Sequence, residues 1–263
     1  MIKLSYRAFL FILFLILPYQ QGLAEFIIRL APYGIEGSPI ADDNPIFSMP
    51  FDAIPHGESA TKILENQGWK SARGELPGME FRQHSGTDFL WIPASTGDFV
   101  MGLEPFDSPI PLTSAPYLDI VWAIEQFSSK GDLRYWDTFD RAIIVYVNFG
   151  KPGFLSPPLS IGFAWDKNGG APLGAISECI PRSATNSSED CFPFYKKVRH
   201  FVVEQGGEKT VKRTRLDIRD YATQAFPDAN LEKLKIHSIG FESKAKSGGT
   251  AIARLYQLKL SSE

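Results

Sequence analysis

The feature that most constrains the fold is a long series of short apolar or alternating runs, which begins near Trp69 and is broken repeatedly by Gly, Pro, Asn, Asp and Ser. Such runs are typical of β-strands joined by turns. Their regular spacing disfavours an alternating βαβ architecture. We therefore predict a mainly β protein, built as a sandwich or a barrel. The predicted strands cover residues 80–83, 88–92, 99–104, 117–125, 142–149, 159–166, 198–204, 234–242 and 251–260.

One short helix is predicted between strands, over residues 217–226. Asp217 is placed to cap its first turn, and Pro227 is placed to end it. A helical turn is also predicted over residues 59–66, where the apolar side chains share one face.

The N-terminus has the order of a secretory signal peptide. Two cations, Lys3 and Arg7, precede an apolar run over 8–17, and a short polar stretch then ends at Ala24. The run has about half of the roughly 20 residues needed to cross a bilayer, which makes a permanent anchor the weaker alternative. We expect residues 1–24 to be cleaved near Ala24 and the protein to reach the periplasm or the outside of the cell.

The remaining chain divides into two parts. Residues 25–66 are interrupted by Pro and Gly and predict an extended lead-in, with one short strand over 26–30. Residues 67–263 form the predicted β-sandwich domain, with roughly 200 residues in a single core.

The charge of the chain argues against a nucleic-acid-binding function. The formal net charge is −3 and no basic stripe is evident, so no nucleic-acid partner is expected. The cationic run 209–215 is interpreted as a solvated turn, with contact to an anionic envelope surface as the alternative.

The chain has two cysteines, Cys179 and Cys191, and in an exported protein such a pair predicts a disulfide. A metal or redox pair is the alternative, but the pair lacks a two-residue spacing. No cofactor and no metal site is predicted, because the histidines show no ligand spacing. These are His56, His84, His200 and His237.

Alternation within the strands separates core residues from candidate binding residues. In 117–125, Leu118, Ile120, Trp122 and Ile124 share an apolar face, and in 159–166 the face with Trp165 is also apolar. The opposite face of 159–166 is small or polar, which leaves room for a ligand or for a packed loop.

The order of the predicted elements resembles an exported bacterial family, domain of unknown function 3047. The segments that carry the resemblance are PYLDIVWAIEQF, FDRAIIVYVNFG, LSIGFAWDKN, FYKKVRHFVVEQ, LDIRDYATQAFPD and IHSIGFESKAKSGGTAIARLYQLKL. The resemblance implies a jelly-roll-like antiparallel β-sandwich with one short helix between strands, similar to carbohydrate-binding modules and without an established activity. Where the family is expected to have spaced aspartates, this chain has Glu242, Ser243 and Lys244, which makes a calcium site there doubtful.

The mixed strand faces are the predicted ligand-binding region, provided that neighbouring strands bring them together. The candidate ligand-binding residues are Asp119, Tyr146, Asn148, Asp166, Glu242, Arg254 and Tyr256. The favoured hypothesis is a non-catalytic protein that binds a glycan or another envelope component on one sheet face. The alternatives are a domain that binds an envelope protein and, less favoured, a carbohydrate-active hydrolase, which needs two facing carboxyl groups.

Overall fold

The computed structural model describes residues 45–49, 59–74, 78–94, 98–103, 106–150, 159–176, 179–185, 191–193, 197–247 and 249–262. Its strands, numbered along the chain, are β1 (Phe47–Met49), β2 (Trp69–Gly74), β3 (Glu80–His84), β4 (Thr87–Ala94), β5 (Asp98–Leu103), β6 (Ile110–Pro111), β7 (Tyr117–Gln126), β8 (Arg141–Asn148), β9 (Ser160–Asp166), β10 (Gly174–Ala175), β11 (Cys179–Pro181), β12 (Cys191–Pro193), β13 (Val198–Gln205), β14 (Val211–Asp217), β15 (Lys235–Ile236), β16 (Ser238–Lys244) and β17 (Ala251–Ser261).

Two large sheets form the sandwich. The six-stranded sheet has the order β14-β7-β17-β4-β3, with β1 also paired to β17. The seven-stranded sheet has the order β10-β13-β9-β8-β16-β5-β2. Its strand pairs are antiparallel except for β13 and β9, which are parallel. A long connection links these two strands along the chain. The predicted fold class, a mainly β sandwich of jelly-roll type, is confirmed.

Among the described residues, two α-helices accompany the strands, α1 (Ala60–Asn66) and α2 (Ile218–Ala225). The side chain of Asp217 accepts a hydrogen bond from the backbone N–H of Arg219 and so caps α2, as predicted. Tyr221 of α2 packs edge-on against Phe163 and Phe201, with ring centroids 5.0 and 4.9 Å apart. The helix therefore closes the core beside the seven-stranded sheet.

The core lies between the inner faces of the two sheets. Trp122 of one sheet and Trp165 of the other are fully buried and meet with their ring centroids 5.4 Å apart. The indole N–H of Trp122 donates to Thr214 Oγ1 at 2.9 Å, and that of Trp165 donates to the carbonyl oxygen of Gly206 at 2.7 Å. Because both N–H groups are satisfied, these tryptophans are stable core residues, as the alternation predicted.

The prediction of a turn over 209–215 is wrong, because β14 occupies residues 211–217 and pairs with β7 along its whole length. Thr214 and Leu216 point into the core, whereas Arg213 and Arg215 lie on the outer face. The strand was not recognised in the sequence because the residues of its outer face are charged, and only the alternate residues that face the core need to be apolar.

Other boundaries also differ from the predictions. The predicted strand 234–242 is divided into β15 and β16, and β2 was not predicted. Strand β1 lies within the predicted lead-in, whereas helix α1 lies where a helical turn was predicted, over 59–66. The signal peptide and the predicted strand 26–30 lie outside the described residues.

The strands that contain the two cysteines pair with each other. Cys179 of β11 lies opposite Pro193, and Cys191 of β12 lies opposite Pro181. The cysteines are thus diagonal neighbours across the pair, and their disulfide stays a prediction. In the part of the chain that the structure describes, no helix has the length and apolar character that a membrane crossing requires.

Candidate functional site

The structure divides the seven candidate residues between opposite sides of the sandwich. Tyr146, Asn148, Asp166 and Glu242 belong to strands of the seven-stranded sheet, whereas Asp119, Arg254 and Tyr256 belong to the six-stranded sheet. Both sets lie on outer faces, so they cannot line one groove. The expectation of a single shared groove is therefore wrong, because alternation assigns a residue to a face of its strand but not to a sheet.

The first set is built around a buried cluster on the outer face of the seven-stranded sheet, here called the tyrosine cluster: Arg141, Tyr146, His200 and Glu242. The hydroxyl of Tyr146 donates to Glu242 Oε2 at 2.5 Å and lies 3.0 Å from His200 Nε2. Arg141 contacts the other carboxylate oxygen of Glu242 through Nη2. Its Nη1 donates to the carbonyl oxygen of Phe139 at 2.8 Å.

The protonation of the tyrosine cluster follows from its burial. Burial and, to a smaller extent, the charge of Arg141 lower the pKa of His200 to about 3, although Glu242 opposes both effects. His200 is therefore neutral at neutral pH. Because the single proton of the Tyr146 hydroxyl goes to Glu242, the Nε2–H group of His200 is the donor to Tyr146.

A row of glycines passes beside this cluster. The register places Gly162, Tyr146, Gly240 and Gly102 next to one another on four adjacent strands. A Cβ atom on Gly162 would lie 2.8 Å from both His200 Cδ2 and Tyr146 Cε1, so these two side chains meet above it. In the described part of the chain, no atom lies within 4 Å of a Cβ built on Gly102. There is open space at that end of the row.

The adjacent row consists of small polar side chains, here called the polar row: Ser160, Asn148 and Ser238. The hydroxyl of Ser160 donates to Asn148 Oδ1 at 2.7 Å, and Asn148 Nδ2 donates to Ser238 Oγ at 3.0 Å. These bonds hold the Asn148 carboxamide in one orientation. Among the described residues, one further N–H and one further lone pair of that amide have no partner, and these can bind a polar ligand.

A loop covers the other end of this face. Leu133 and Phe139 are buried against Ile144, Ala164 and Val202 of the sheet. The loop is held in place by the carboxylate of Asp140, which accepts hydrogen bonds from Ser128 Oγ at 3.0 Å and from the backbone N–H of Lys246 at 2.8 Å. The rows of glycines and polar side chains lie beyond this covered end.

Asp166 has a local structural role. Its carboxylate accepts hydrogen bonds from the backbone N–H groups of Lys167, at 2.9 Å, and of Ala171. Burial raises the pKa of Asp166, and these two hydrogen bonds oppose the rise. The side chain fixes the turn that follows β9.

The second set of candidates lies on the outer face of the six-stranded sheet. Arg254 Nε donates to Glu125 Oε2 at 2.8 Å, and Tyr256 packs on Phe89 with ring centroids 5.2 Å apart. Asp119 is fully buried, with Arg215 Nη1 4.0 Å from its Oδ2. Burial raises the pKa of Asp119 despite the neighbouring cations.

Sequence reasoning missed Arg141, His200 and the glycine row. His200 was considered only as a metal ligand, although its position two residues before Val202 could have placed it on the outer face of β13. Arg141 and the cross-strand glycine alignment had no sequence signal, because both depend on the register of strands that are distant in the chain.

Comparisons with known proteins identify similar folds at low sequence identity. The family 12 xyloglucanase from Bacillus licheniformis superposes with a TM-score of 0.40 and 11% identity, over 83% of this chain and 97% of that chain. The K2 adhesin domain of Lys-gingipain superposes with a TM-score of 0.35 and 10% identity, over 82% of this chain and 98% of that chain. For the family 11 xylanase from Neocallimastix patriciarum, the TM-score is 0.35 and the identity 13%, over 73% of this chain and 94% of that chain. No protein-family model and no curated protein matches the chain. At these scores the comparisons transfer neither an activity nor a site residue to this chain.

Proposed function

We propose that this protein is an exported, non-catalytic β-sandwich that binds a glycan of the cell envelope on the outer face of its seven-stranded sheet. The observation that carries the proposal is the polar row, which lies beside Tyr146 and the glycines. Hydrogen-bonded amide and hydroxyl groups of this kind bind sugar hydroxyls, and the Tyr146 ring offers an apolar surface. The open space beside Gly102, at the end of the row, can accommodate a sugar ring.

The tyrosine cluster supports this face as a rigid platform. Tyr146 is held through its hydroxyl by Glu242 and His200, so its ring has a fixed position in the row. A preorganised site of this kind loses less conformational entropy when a ligand binds. Arg141 balances the charge of Glu242, which lets both groups remain buried.

A hydrolase is less well supported, because the acidic side chains of the strands and loops have other roles in the structure. Asp119 and Glu125 lie on the opposite outer face from Glu242. Asp140 and Asp166 accept hydrogen bonds from backbone N–H groups that hold loops. Glu242 itself is occupied by Tyr146 and Arg141. These contacts favour structural roles over the paired acid and base that glycoside hydrolysis requires.

The test uses the open space at Gly102. Gly102→Ala adds a methyl group that meets none of the described atoms, so the variant is expected to fold normally while the methyl group occupies space needed by a sugar ring. The matched control is Gly78→Ala, just before β3 of the six-stranded sheet, where the added methyl group likewise meets no described atom within 4 Å. A glycan array followed by titration calorimetry measures binding for the full-length protein and both variants.

We expect the Gly102→Ala variant to bind its glycan at least about tenfold more weakly than the Gly78→Ala variant. Asn148→Ala should also weaken binding, by about five- to tenfold for one lost hydrogen bond. Tyr256→Phe, on the opposite face, should have no effect. Equal affinity of the Gly102→Ala and Gly78→Ala variants, or no binding to any envelope glycan, would contradict the proposal and favour a protein partner.

Export, the disulfide and membership of the domain of unknown function 3047 family remain part of this proposal. Protein recovered from the periplasm should begin near Glu25 by intact mass, and Cys179 and Cys191 should give no free thiol after denaturation. Recovery of the intact N-terminus in a membrane fraction would contradict cleavage. Two titratable thiols would contradict the disulfide.

A further inference from the structure

The outer face of the six-stranded sheet contains a second group of polar side chains, here called the arginine cluster: Asp119, Arg213, Arg215 and Gln257. The register places Arg215 opposite Asp119 and Arg213 opposite Val121, because β14 pairs with β7. Gln257 of β17 lies opposite Val121 on its other side. Directly opposite residues share one face of a sheet, so three adjacent strands bring these groups together around a small valine.

Three atoms of the arginine cluster lack hydrogen-bond partners in the part of the chain that the structure describes. They are Asp119 Oδ1, Arg213 Nε and Gln257 Oε1, and all three are buried. Asp119 is 0% exposed and Gln257 is 7% exposed. Buried polar atoms are nearly always hydrogen-bonded, and an unsatisfied one costs about 1–3 kcal/mol. These atoms are one donor and two acceptors. A ligand that satisfies all three must therefore supply one acceptor and two donors.

The charges of the cluster are also unbalanced. Asp119 is flanked by Arg215 on one neighbouring strand and by Lys259 on the other. The carboxylate therefore neutralises Arg213 poorly, and burial lowers the pKa of Arg213 more than Asp119 raises it. Arg215 is oriented over the ring of Tyr117, with Cζ 4.4 Å from the ring centroid, and keeps 28% of its side chain exposed.

We infer that the arginine cluster binds a phosphorylated sugar, with the phosphate on the guanidinium groups of Arg213 and Arg215. Phosphate oxygens accept from the Arg213 Nε–H group and from the exposed end of Arg215, since the planar guanidinium fork matches phosphate geometry. The sugar hydroxyls donate to Asp119 Oδ1 and Gln257 Oε1. Inorganic phosphate satisfies the donor and, through a P–OH group, one acceptor at most, whereas a sugar phosphate satisfies all three atoms through its several hydroxyls.

This site is on the opposite side of the sandwich from the polar row, so the two proposals can fail separately. Titration calorimetry of the full-length protein with glucose 1-phosphate, inorganic phosphate and glucose tests the inference. We expect glucose 1-phosphate to bind more tightly than inorganic phosphate, and glucose to show no binding at this site. Cosedimentation with phosphatidylcholine vesicles that contain lipid A distinguishes a lipid-linked sugar phosphate from a free one.

Arg213→Gln should weaken binding of glucose 1-phosphate by at least about tenfold, the effect of one lost charge-assisted hydrogen bond. Gln257→Leu should weaken glucose 1-phosphate more than inorganic phosphate, because it removes an acceptor for the sugar. The control is Arg82→Gln on the same face, where Arg82 is paired with Glu80 at 2.8 Å and lies over Trp91. Equal losses for Arg213→Gln and Arg82→Gln, or no binding of glucose 1-phosphate at millimolar concentration, would overturn the inference.

Discussion

Gly162 is the position where one added methyl group should have the largest measurable effect on the seven-stranded sheet. A Cβ atom there lies 2.8 Å from His200 Cδ2, 2.8 Å from Tyr146 Cε1 and 3.0 Å from Ile144 Cγ2. Real Cβ contacts are almost never this short, so at least one neighbour must move. Gly162→Ala therefore tests whether the tyrosine cluster is as rigid as its hydrogen bonds indicate.

The magnitude follows from what resists the movement. Tyr146 is held at its hydroxyl by bonds of 2.5 and 3.0 Å, and His200 is buried at one end of the second bond. Inserting a methyl group into a packed region costs about 1–3 kcal/mol when side chains must shift. For a domain of this size that corresponds to a fall in Tm of roughly 2–10 °C.

Urea denaturation followed by tryptophan fluorescence is the assay, because it gives both the midpoint and the m value. We expect Gly162→Ala to lower the midpoint with an unchanged m value. Gly102→Ala is the matched control, since the same methyl group there meets none of the described atoms and should change the free energy of unfolding by less than about 1 kcal/mol.

A double variant separates the clash from other causes. His200→Ala removes one of the two closest contacts, so Gly162→Ala should cost less in that background than in the wild type. If Gly162→Ala is as stable as Gly102→Ala, or if its cost is unchanged when His200 is removed, the reasoning about the rigid tyrosine cluster is refuted.

Three further predictions concern stability. Unfolded His200 takes up a proton near its ordinary pKa of 6.5, whereas folded His200 does so only near pH 3. The contribution of neutral His200 to the free energy of unfolding should therefore be complete above pH 6.5 and lost as the pH falls towards 3. His200→Gln should reduce this loss of stability in acid, as measured by denaturation at a series of pH values. Glu242→Gln leaves the buried charge of Arg141 unpaired and should cost about 3–5 kcal/mol, against less than about 1 kcal/mol for Glu125→Gln in a partly exposed pair, as measured by urea denaturation. Asp217→Ala removes the cap of α2 and should lower the free energy of unfolding by about 1 kcal/mol, while Asp217→Asn should retain most of it.

Much of the fold was predictable from local patterns in the sequence. Alternation placed Leu118, Ile120 and Trp122 on the buried face of β7, and Trp165 on that of β9. The capping residue and the proline set both ends of α2. These features depend on the period of a strand or on helix-end chemistry, so residues near one another in the chain are sufficient to determine them.

Only the tertiary structure decided which outer faces meet. Asp119 and Glu242 have equally plausible local patterns, yet they lie on opposite sides of the sandwich because β7 and β16 belong to different sheets. The tyrosine cluster joins Arg141 and Tyr146 to residues more than 50 positions away, through the pairing of β8 with β9 and β16. Strand register and sheet assignment arise from packing of the whole chain, and a shift of one residue would move every side chain to the other face.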